Sequence, residues 1–556
     1  MNLRGVGVSP GVGHGPSYVL SASVPEPPEG ATYTGEAEPE KERAIAALTQ
    51  VAGELEARGN QAGGEAAEIL KAQALMADDP GLVVRVRTLI DRGLAAPRAV
   101  FDAFTRYQDM LAASGGYLGE RAADVADIRD RVVAQLYGHA MPGLPAAPAE
   151  PYVLVARDLA PADTALLSRE HVAAFVTEEG GPTSHTAIIA RAMGVPAVVA
   201  CAGATGIPAG VRVMVDGTTG DVRVEPAESD VADATAAATA LRAALSSWQG
   251  PGRTADGHQV PLLANVGGPG ELRDAAGAGA EGIGLYRTEF LFLGRSEPPS
   301  EEEQRQAYEE ALAAFPDGKV VVRTLDVGAD KPLAFVPAPA AEPNPALGER
   351  GLRRFRRFPG VMETQLGALA AVGSERLRVM APMVATAAEA AWFAQMCRAK
   401  GLTDVGVMIE IPAAALRAGD VLAAVDFVSI GTNDLSQYAF AADRRLGAMS
   451  ALHDPWQPAL LDLVALAAGA AGEAGKPCGI CGEAAADPAL ACVLVGLGAG
   501  TLSMAPSALA AVRAGLGAHT LEQCRRAAGV AREQETAADA RAAARVHLPE
   551  LGRLGL

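Results

Sequence analysis

The sequence predicts a multidomain α/β chain: a helical bundle, a compact α/β unit and a C-terminal (β/α)8 TIM barrel. Three observations carry this prediction. A stretch from about Glu38 to Gly138, rich in Ala, Glu, Arg and Leu, keeps helical spacing with no alternating strand pattern. From Tyr152 onward, short apolar runs alternate with helix-like pieces. After about residue 250, eight apolar β-type runs are separated by helix-length stretches, which is the strand count of a barrel. A doubly wound open sheet is the structural alternative for this last region.

In chain order, the opening MNLRGVGVSPGVGHGPS is broken by Gly and Pro and lacks the continuous apolar core of a signal peptide. In the bundle, ERAADVADIRDRVVAQLYG puts Val125, Ile128, Val132, Val133 and Leu136 on one face. The Pro-rich Met141 to Pro151 ends it. The α/β unit follows with the runs YVLVA, VAAFVT, PAVVA and VRVMVDG around the helix-like SHTAIIARAMG. A polar, Ala-rich stretch from Ala227 to Ser247 reads as a linking helix, and Gly250 to Gly257 as a hinge. The barrel runs are PLLANV, GIGLYRTEF, VVVRTLD, LRVMAPMV, VGVMIEIP, FVSIGTND, PCGICGE and TLSMAP. Pro488 to Val512 holds no charged residue, but Gly496, Gly498, Gly500 and Pro506 break it into helix, turn, strand and helix of a soluble core.

Composition narrows the partners. Lys and Arg number 47 against 66 Asp and Glu, a net charge of −19, which argues against a nucleic-acid polyanion. Six scattered cysteines do not make a secreted disulfide framework. The expected place is the cytoplasm, with no membrane span.

A barrel carries its chemistry at the C-terminal ends of its strands. Reading each run to its end gives Asn265, Arg287 with Glu289, Arg323 with Asp326, Glu410, Asn433 with Asp434, and Cys481 with Glu483. Glu410 and Asp434 are hard oxygen ligands suited to one Mg²⁺. Arg287, Arg323, Arg350 and Arg444 supply planar donors for phosphate and carboxylate. The set describes a site for a small phosphorylated carboxylic acid; the competing reading is a rim of salt bridges. Cys478 and Cys481 have CxxC spacing, but no second pair completes a zinc site. Cys478 reads as core, and Cys481 as a candidate acid in the cleft. His185, in GGPTSHTAIIAR, would sit at a helix N-terminus that favours phosphate, where a neutral imidazole can attack phosphorus. A capping-loop histidine without chemistry is the alternative. The two sites fall in different predicted domains, so transfer between them needs a hinge, at Gly250 to Gly257 or at the Met141 to Pro151 joint.

With these residues assembled, the chain resembles Enzyme I of the phosphoenolpyruvate:sugar phosphotransferase system, the phosphoenolpyruvate–protein phosphotransferases. GVGVSPGVGHGPSYVL is similar to the family's amino-terminal strand and GERAADVADIRDRV to its helical domain. GGPTSHTAIIARAMGVPAVV is similar to its phosphohistidine signature. GLYRTEFLF, VRTLDVGADK, NPALGERGLR, VGVMIEIPAA, SIGTNDLSQY and GICGE are similar to its barrel motifs, in the same order. The resemblance implies a bundle inserted in, or next to, an α/β phosphohistidine domain. The implied boundaries are 1–24 for its N-terminal strand region, 25–145 for the helical carrier-binding domain and 146–226 for the phosphohistidine domain. A linker at 227–252 and the barrel at 253–556 complete the chain.

The resemblance further implies that His185 takes a phosphoryl group from phosphoenolpyruvate and passes it to the histidine-carrier protein HPr. Glu410 and Asp434 would hold Mg²⁺. Arg287, Arg323, Arg444 and Asn433 would bind phosphoenolpyruvate, and Cys481 would protonate the enolate to pyruvate. The helical domain would dock HPr and the barrel would form a homodimer. Four positions depart from the family pattern: Gln73, where a His is frequent, Pro182, where a basic residue is frequent, Ala329 and Gly367. The nearest competitors are phosphoenolpyruvate synthase and pyruvate phosphate dikinase, which need a nucleotide-binding domain that the residues before the α/β unit do not resemble. A Mg²⁺-dependent aldolase-type barrel would leave His185 idle. A non-catalytic scaffold would not need His185, Glu410, Asp434 and Cys481 together.

Overall fold

A computed structural model describes residues 2–20, 26–61, 73–114, 122–138, 150–157, 159, 167–181, 185–293, 295–328, 333–336, 342, 344–444 and 447–556. It forms two compact units, one comprising Met1–Gly180 with His185–Val231 and the other containing Ala232–Leu556.

The first unit is built on an eight-stranded sheet in the order β1-β8-β7-β3-β4-β5-β6-β2. Its strands are β1 (Asn2–Arg4), β2 (Val6–Ser9), β3 (Val12–Val19), β4 (Tyr152–Ala156), β5 (Val172–Thr177), β6 (Ala197–Val199), β7 (Arg212–Asp216) and β8 (Asp221–Val224). The four strands β3 to β6 run parallel, and the flanking pairs are antiparallel. The run YVLVA is buried along its whole length because a central parallel strand is covered on both faces. Tyr152, Leu154 and Ala156 pack on one side of the sheet with Phe175 and Ala187. Val153 and Val155 go to the other side with Val176 and Val213, the period-two alternation of a strand.

Among the described residues between β3 and β4 lie four helices, α1 (Ala37–Gln61), α2 (Pro80–Asp91), α3 (Ala96–Ser114) and α4 (Ala122–Tyr137). Because β3 and β4 are hydrogen-bonded neighbours, this bundle is an insertion into the α/β unit. It has its own core of Leu48, Val51, Val86, Ile90, Val100 and Phe104, joined by all five residues of the stripe expected on α4. The start of α2 is set by Asp79, whose carboxylate accepts the Leu82 N–H at 2.9 Å, and by Pro80 in the first turn. Gln73 is buried and donates to Asp124 Oδ1 at 3.0 Å. Back in the sheet region, α5 (His185–Met193) precedes β6, and α6 (Glu228–Ser246) follows β8. The Met141–Pro151 joint, apart from its last two residues, lies outside the described residues, as do Pro182, Thr183, Ser184 and Ala329.

The second unit is a closed parallel barrel, with all eight expected runs in place and in order. They are β9 (Leu262–Val266), β10 (Ile283–Arg287), β11 (Val320–Arg323), β12 (Leu377–Ala381), β13 (Val405–Ile409), β14 (Phe427–Ile430), β15 (Cys478–Ile480) and β16 (Thr501–Met504). Alternate residues fill two places. Val405, Val407 and Ile409 pack outward under the helices, while Leu285, Val321, Met380, Met408, Phe427 and Cys481 cluster inside the barrel. Pro488–Gly496, β16 and Leu509–Gly517 give the helix, strand and helix expected of the uncharged stretch. No helix among the described residues is long and apolar enough to cross a membrane.

The expected hinge at Gly250 to Gly257 is not a free connection. Gly252 N–H donates to Glu281 Oε1 at 2.8 Å, Ala255 N–H to the His519 carbonyl at 2.8 Å, and Asp256 accepts from Leu521 N–H at 3.0 Å. Its glycines and proline shape a turn whose backbone groups are hydrogen-bonded to the barrel. Gly367 lies on the helix Pro359–Val372, where a Cβ would meet the exposed Glu301 carboxylate at 3.0 Å, a flexible end that can move aside.

A candidate active site at the C-terminal mouth of the barrel

The strand ends bring most of the expected side chains into one electrostatic cluster. At the end of β10, Thr288 donates its hydroxyl to the Arg323 carbonyl at 2.9 Å, and the buried Glu289 carboxylate forms an ion pair with Arg323. The guanidinium of Arg323 also lies 3.9 Å from Met408 Sδ. Burial works against its charge, but Glu289, Asp326, Glu410 and Asp434 outweigh it and hold the Arg323 pKa above its ordinary value. The Arg287 side chain is half-buried and makes no hydrogen bond or ion pair among the described residues.

Glu410, immediately after β13, is buried, and the Met383 N–H donates to its Oε1 at 2.6 Å. Burial first, then the charges of Asp434 and Asp326, push its carboxyl up to about 8, against the pull of Arg323 and the Met383 N–H. Asp434, in the helix Thr432–Ala439 after β14, has Oδ2 3.3 Å from Arg444 Nη1. Its other oxygen, Oδ1, is buried without a hydrogen-bond partner. Arg444 is itself held by its N–H, which donates to Gln437 Oε1 at 3.2 Å.

Asn433 Oδ1 accepts the Glu483 N–H at 3.0 Å and so ties the end of β14 to that of β15. Asn265 donates to the Cys481 carbonyl at 3.1 Å and is bonded to the Ser503 hydroxyl, closing the ring across β9, β15 and β16. Cys481 is buried, with Sγ donating to the Ile430 carbonyl at 3.6 Å. Burial pushes its thiol up to about 11, with a smaller push from Glu410, while Ser429, Arg323 and Arg287 pull the other way. It is therefore a proton carrier at neutral pH and a poor thiolate. Cys478 packs on the opposite face of β15, among the helices, as expected of core.

Arg350 differs from the other arginines. It is 2% exposed, its Nη2 lies 2.8 Å and its Nε 3.4 Å from the Asp326 carboxylate, and its Nη1 donates to the Tyr438 hydroxyl at 3.4 Å. Three of its donor directions serve the protein. Arg350→Met leaves Asp326 buried beside Glu410 without its counter-charge, and should cost roughly 3–5 kcal/mol of stability. Urea unfolding checks this, and Asp326→Asn added to Arg350→Met should recover much of the loss. An unchanged midpoint in the single variant would remove the strut role.

The residue that sequence reasoning missed is Met383. It is buried at φ +59°, a left-handed conformation that costs a non-glycine residue on the order of 1–3 kcal/mol. The run LRVMAPMV ends without an ionisable group, and a backbone donor leaves no mark in a sequence. His185 opens α5 and belongs to the other unit, so the expected site residues are divided between two bodies.

The chemistry of the donor set fits a divalent cation. Glu410 and Asp434 are two buried carboxylates within electrostatic range of each other, and Oδ1 of Asp434 has no hydrogen-bond partner. Two hard carboxylates with an oxygen to spare suit an ion that takes one or two such ligands. Kept free of cations, the folded chain holds a proton on Glu410 up to about pH 8, while the unfolded chain releases it near 4.5. Between those values the native state binds more protons, so the contribution of this one group to stability is greatest below 4.5 and is lost as pH rises through 8. The expected loss is on the order of a few kcal/mol. Urea midpoints in a chelating buffer from pH 5 to 8.5 should fall, and Glu410→Gln should flatten the slope; an equally steep slope in that variant rules the assignment out.

Three protein-family models match successive stretches of the chain. They are the PEP-utilising enzyme N-terminal model over residues 4–121, the mobile domain over 148–220 and the PEP-binding domain over 244–520. A phosphoenolpyruvate-protein phosphotransferase of Streptomyces coelicolor is 57% identical over 551 residues, covering 98% of this chain and 99% of that one. Proteins of the same description from Haloferax volcanii and Bacillus subtilis are 40% and 37% identical, each over 90% of this chain and 92% of theirs. A solution structure titled Enzyme I (nEIt) is 32% identical over 43% of this chain and 99% of that chain, with a TM-score of 0.35.

Proposed function

The chain belongs to the phosphoenolpyruvate-protein phosphotransferase family, and from that premise we propose how its residues divide the reaction. The protein is an enzyme that uses phosphoenolpyruvate as phosphoryl donor in a phosphotransferase system. Our reading is that the group passes to His185 and then to a histidine of the carrier protein HPr, in the cytoplasm, with the barrel as the homodimer contact. The observation that supports it most is 57% identity to a phosphoenolpyruvate-protein phosphotransferase over 98% of the chain, together with the buried pair Glu410 and Asp434 at the barrel mouth.

Glu410 and Asp434 would hold Mg²⁺, which takes one or two carboxylates and completes its shell with substrate oxygens. Bound there, Mg²⁺ supplies positive charge against the phosphoryl oxygens. Arg287, with no protein partner among the described residues, is the arginine most open to the substrate. Arg323 and Arg444, anchored on Glu289 and Asp434, orient donors towards phosphate and carboxylate, and Asn433 adds an amide. Arg350 supports the site from behind through Asp326. The imidazole of His185 forms the P–N bond as the bridging P–O bond breaks. The electron pair left on the enolate takes the proton of Cys481 at carbon to give pyruvate, and solvent returns a proton to the sulfur. Since His185 is carried by the other unit, α5 must reach the barrel mouth to be charged and leave it to meet the carrier.

Full-length similarity to phosphotransferases favours this reading over a phosphoenolpyruvate synthase or dikinase that lacks its nucleotide domain. Pyruvate release from phosphoenolpyruvate, followed with lactate dehydrogenase, should be catalytic only with both a divalent cation and added HPr. Turnover of pyruvate with ATP and without HPr would support the competitor instead.

A further inference from the structure

Two strand ends, those of β12 and β16, offer neither an ionisable nor an amide side chain, yet β12 reaches the cluster through its backbone. Met383 lies two residues beyond β12, and its N–H is the donor 2.6 Å from Glu410 Oε1. Its φ of +59° is a conformation that few residues other than glycine adopt. Its neighbours approach closely. Gly351, itself at φ +54°, lies where a Cβ would be 3.3 Å from Met383 Cβ and 3.4 Å from Asp326 Oδ1. On the far side of Glu410, a Cβ on Gly431 would stand 3.0 Å from Oε2. Gly351 thus leaves room for Met383, Gly431 leaves room for the Glu410 carboxylate, and the Met383 N–H grips that carboxylate.

We propose that Met383 is a positioning residue whose main-chain N–H holds Oε1 of Glu410, so that Oε2 alone is offered to the divalent cation. This rests on the reading of Glu410 as a metal ligand. One-oxygen binding has a consequence for selectivity. Mg²⁺ and the similar Mn²⁺ keep a tight octahedral shell, whereas Ca²⁺ accepts carboxylates through both oxygens and tolerates irregular geometry. Pinning Oε1 denies Ca²⁺ the second oxygen, so the backbone of Met383 sets a preference for the smaller ion. Outer-shell partners of this kind are typically worth about 10- to 100-fold in metal affinity.

The test is titration of the full-length chain with Mn²⁺ and, separately, with Ca²⁺ by calorimetry, with urea stability measured in parallel. Met383→Val, β-branched and ill-suited to positive φ, should weaken Mn²⁺ binding by about 10- to 100-fold and narrow the Mn²⁺-to-Ca²⁺ ratio. Met383→Asn, which tolerates the left-handed region, should bind Mn²⁺ within a few-fold of wild type. Should Met383→Val not fold, an ester in place of the Met383 amide removes the N–H alone and is expected to give the same loss. Equal weakening for both ions, or equal loss in the Val and Asn variants, would overturn the proposal by pointing to packing. Glu410→Gln separates the two layers of argument. If that variant binds Mn²⁺ as wild type does, the ligand assignment is wrong; if it does not while Met383→Val binds normally, only the positioning role fails.

Discussion

Incubated with labelled phosphoenolpyruvate and Mg²⁺, the wild-type chain is expected to take up a label that acid removes and base leaves in place, and His185→Ala to take up none. The lability follows from the bond. A phosphorylated imidazole loses its phosphoryl group once its ring is protonated and becomes a good leaving group, whereas base does nothing to help the ring depart. His185 is suited to the role by its position as the first residue of α5. The opening N–H groups of a helix lack intrahelical partners, and the macrodipole places roughly half a positive charge there. That end welcomes a phosphoryl group. A neutral imidazole is also the nucleophilic form, and near its unperturbed pKa of about 6.5 a histidine is largely neutral at pH 7 to 8. Removing the ring removes the acceptor itself, so the effect is all or nothing, and the barrel should still bind phosphoenolpyruvate. A label of the same stability persisting in His185→Ala would move the acceptor to another residue and undo the assignment.

The barrel could be read from the chain because parallel strands buried on both faces become near-continuous apolar runs, as in VVVR and VGVMI. The carboxylates Glu410 and Asp434 stood out for the same reason, since each breaks an apolar run just where barrels place their chemistry. Three features had no such signature. Met383 acts through a main-chain N–H that every residue but proline carries. Asp326 ends a strand as a ligand would, and only the fold shows Arg350, 24 positions on, taking both its oxygens. Gly250 to Gly257 has the composition of a hinge, and the contacts that tie it down come from Glu281, His519 and Leu521, the last two more than 250 positions away. What escapes sequence reasoning here is pairing between distant segments, while what it captures is local pattern.

Cys481→Ala should slow phosphorylation of the protein by phosphoenolpyruvate by on the order of 10²–10⁴-fold, the usual worth of a positioned general acid, while phosphoenolpyruvate binds within a few-fold of wild type. Protonation state decides what this sulfur can do. With its thiol pushed up to about 11, chiefly by burial, Cys481 carries its proton at pH 7. A sulfur in that state cannot serve as a nucleophile or metal ligand, but it can give up a proton to carbon once an enolate develops beside it. Its burial inside the barrel with Leu285, Val321, Met380, Met408 and Phe427 fits that use, because a carbon bound beside it would be screened from bulk water and would take its proton from the protein. Losing the sulfur removes little packing, so alanine should leave the fold intact, and urea unfolding of the variant confirms that before kinetics are compared. The diagnostic is a split between constants. If the chemical step falls and binding holds, Cys481 acts on the transition state. If binding falls and the step holds, the residue shapes the pocket, and if neither moves, the proton reaches the enolate from elsewhere.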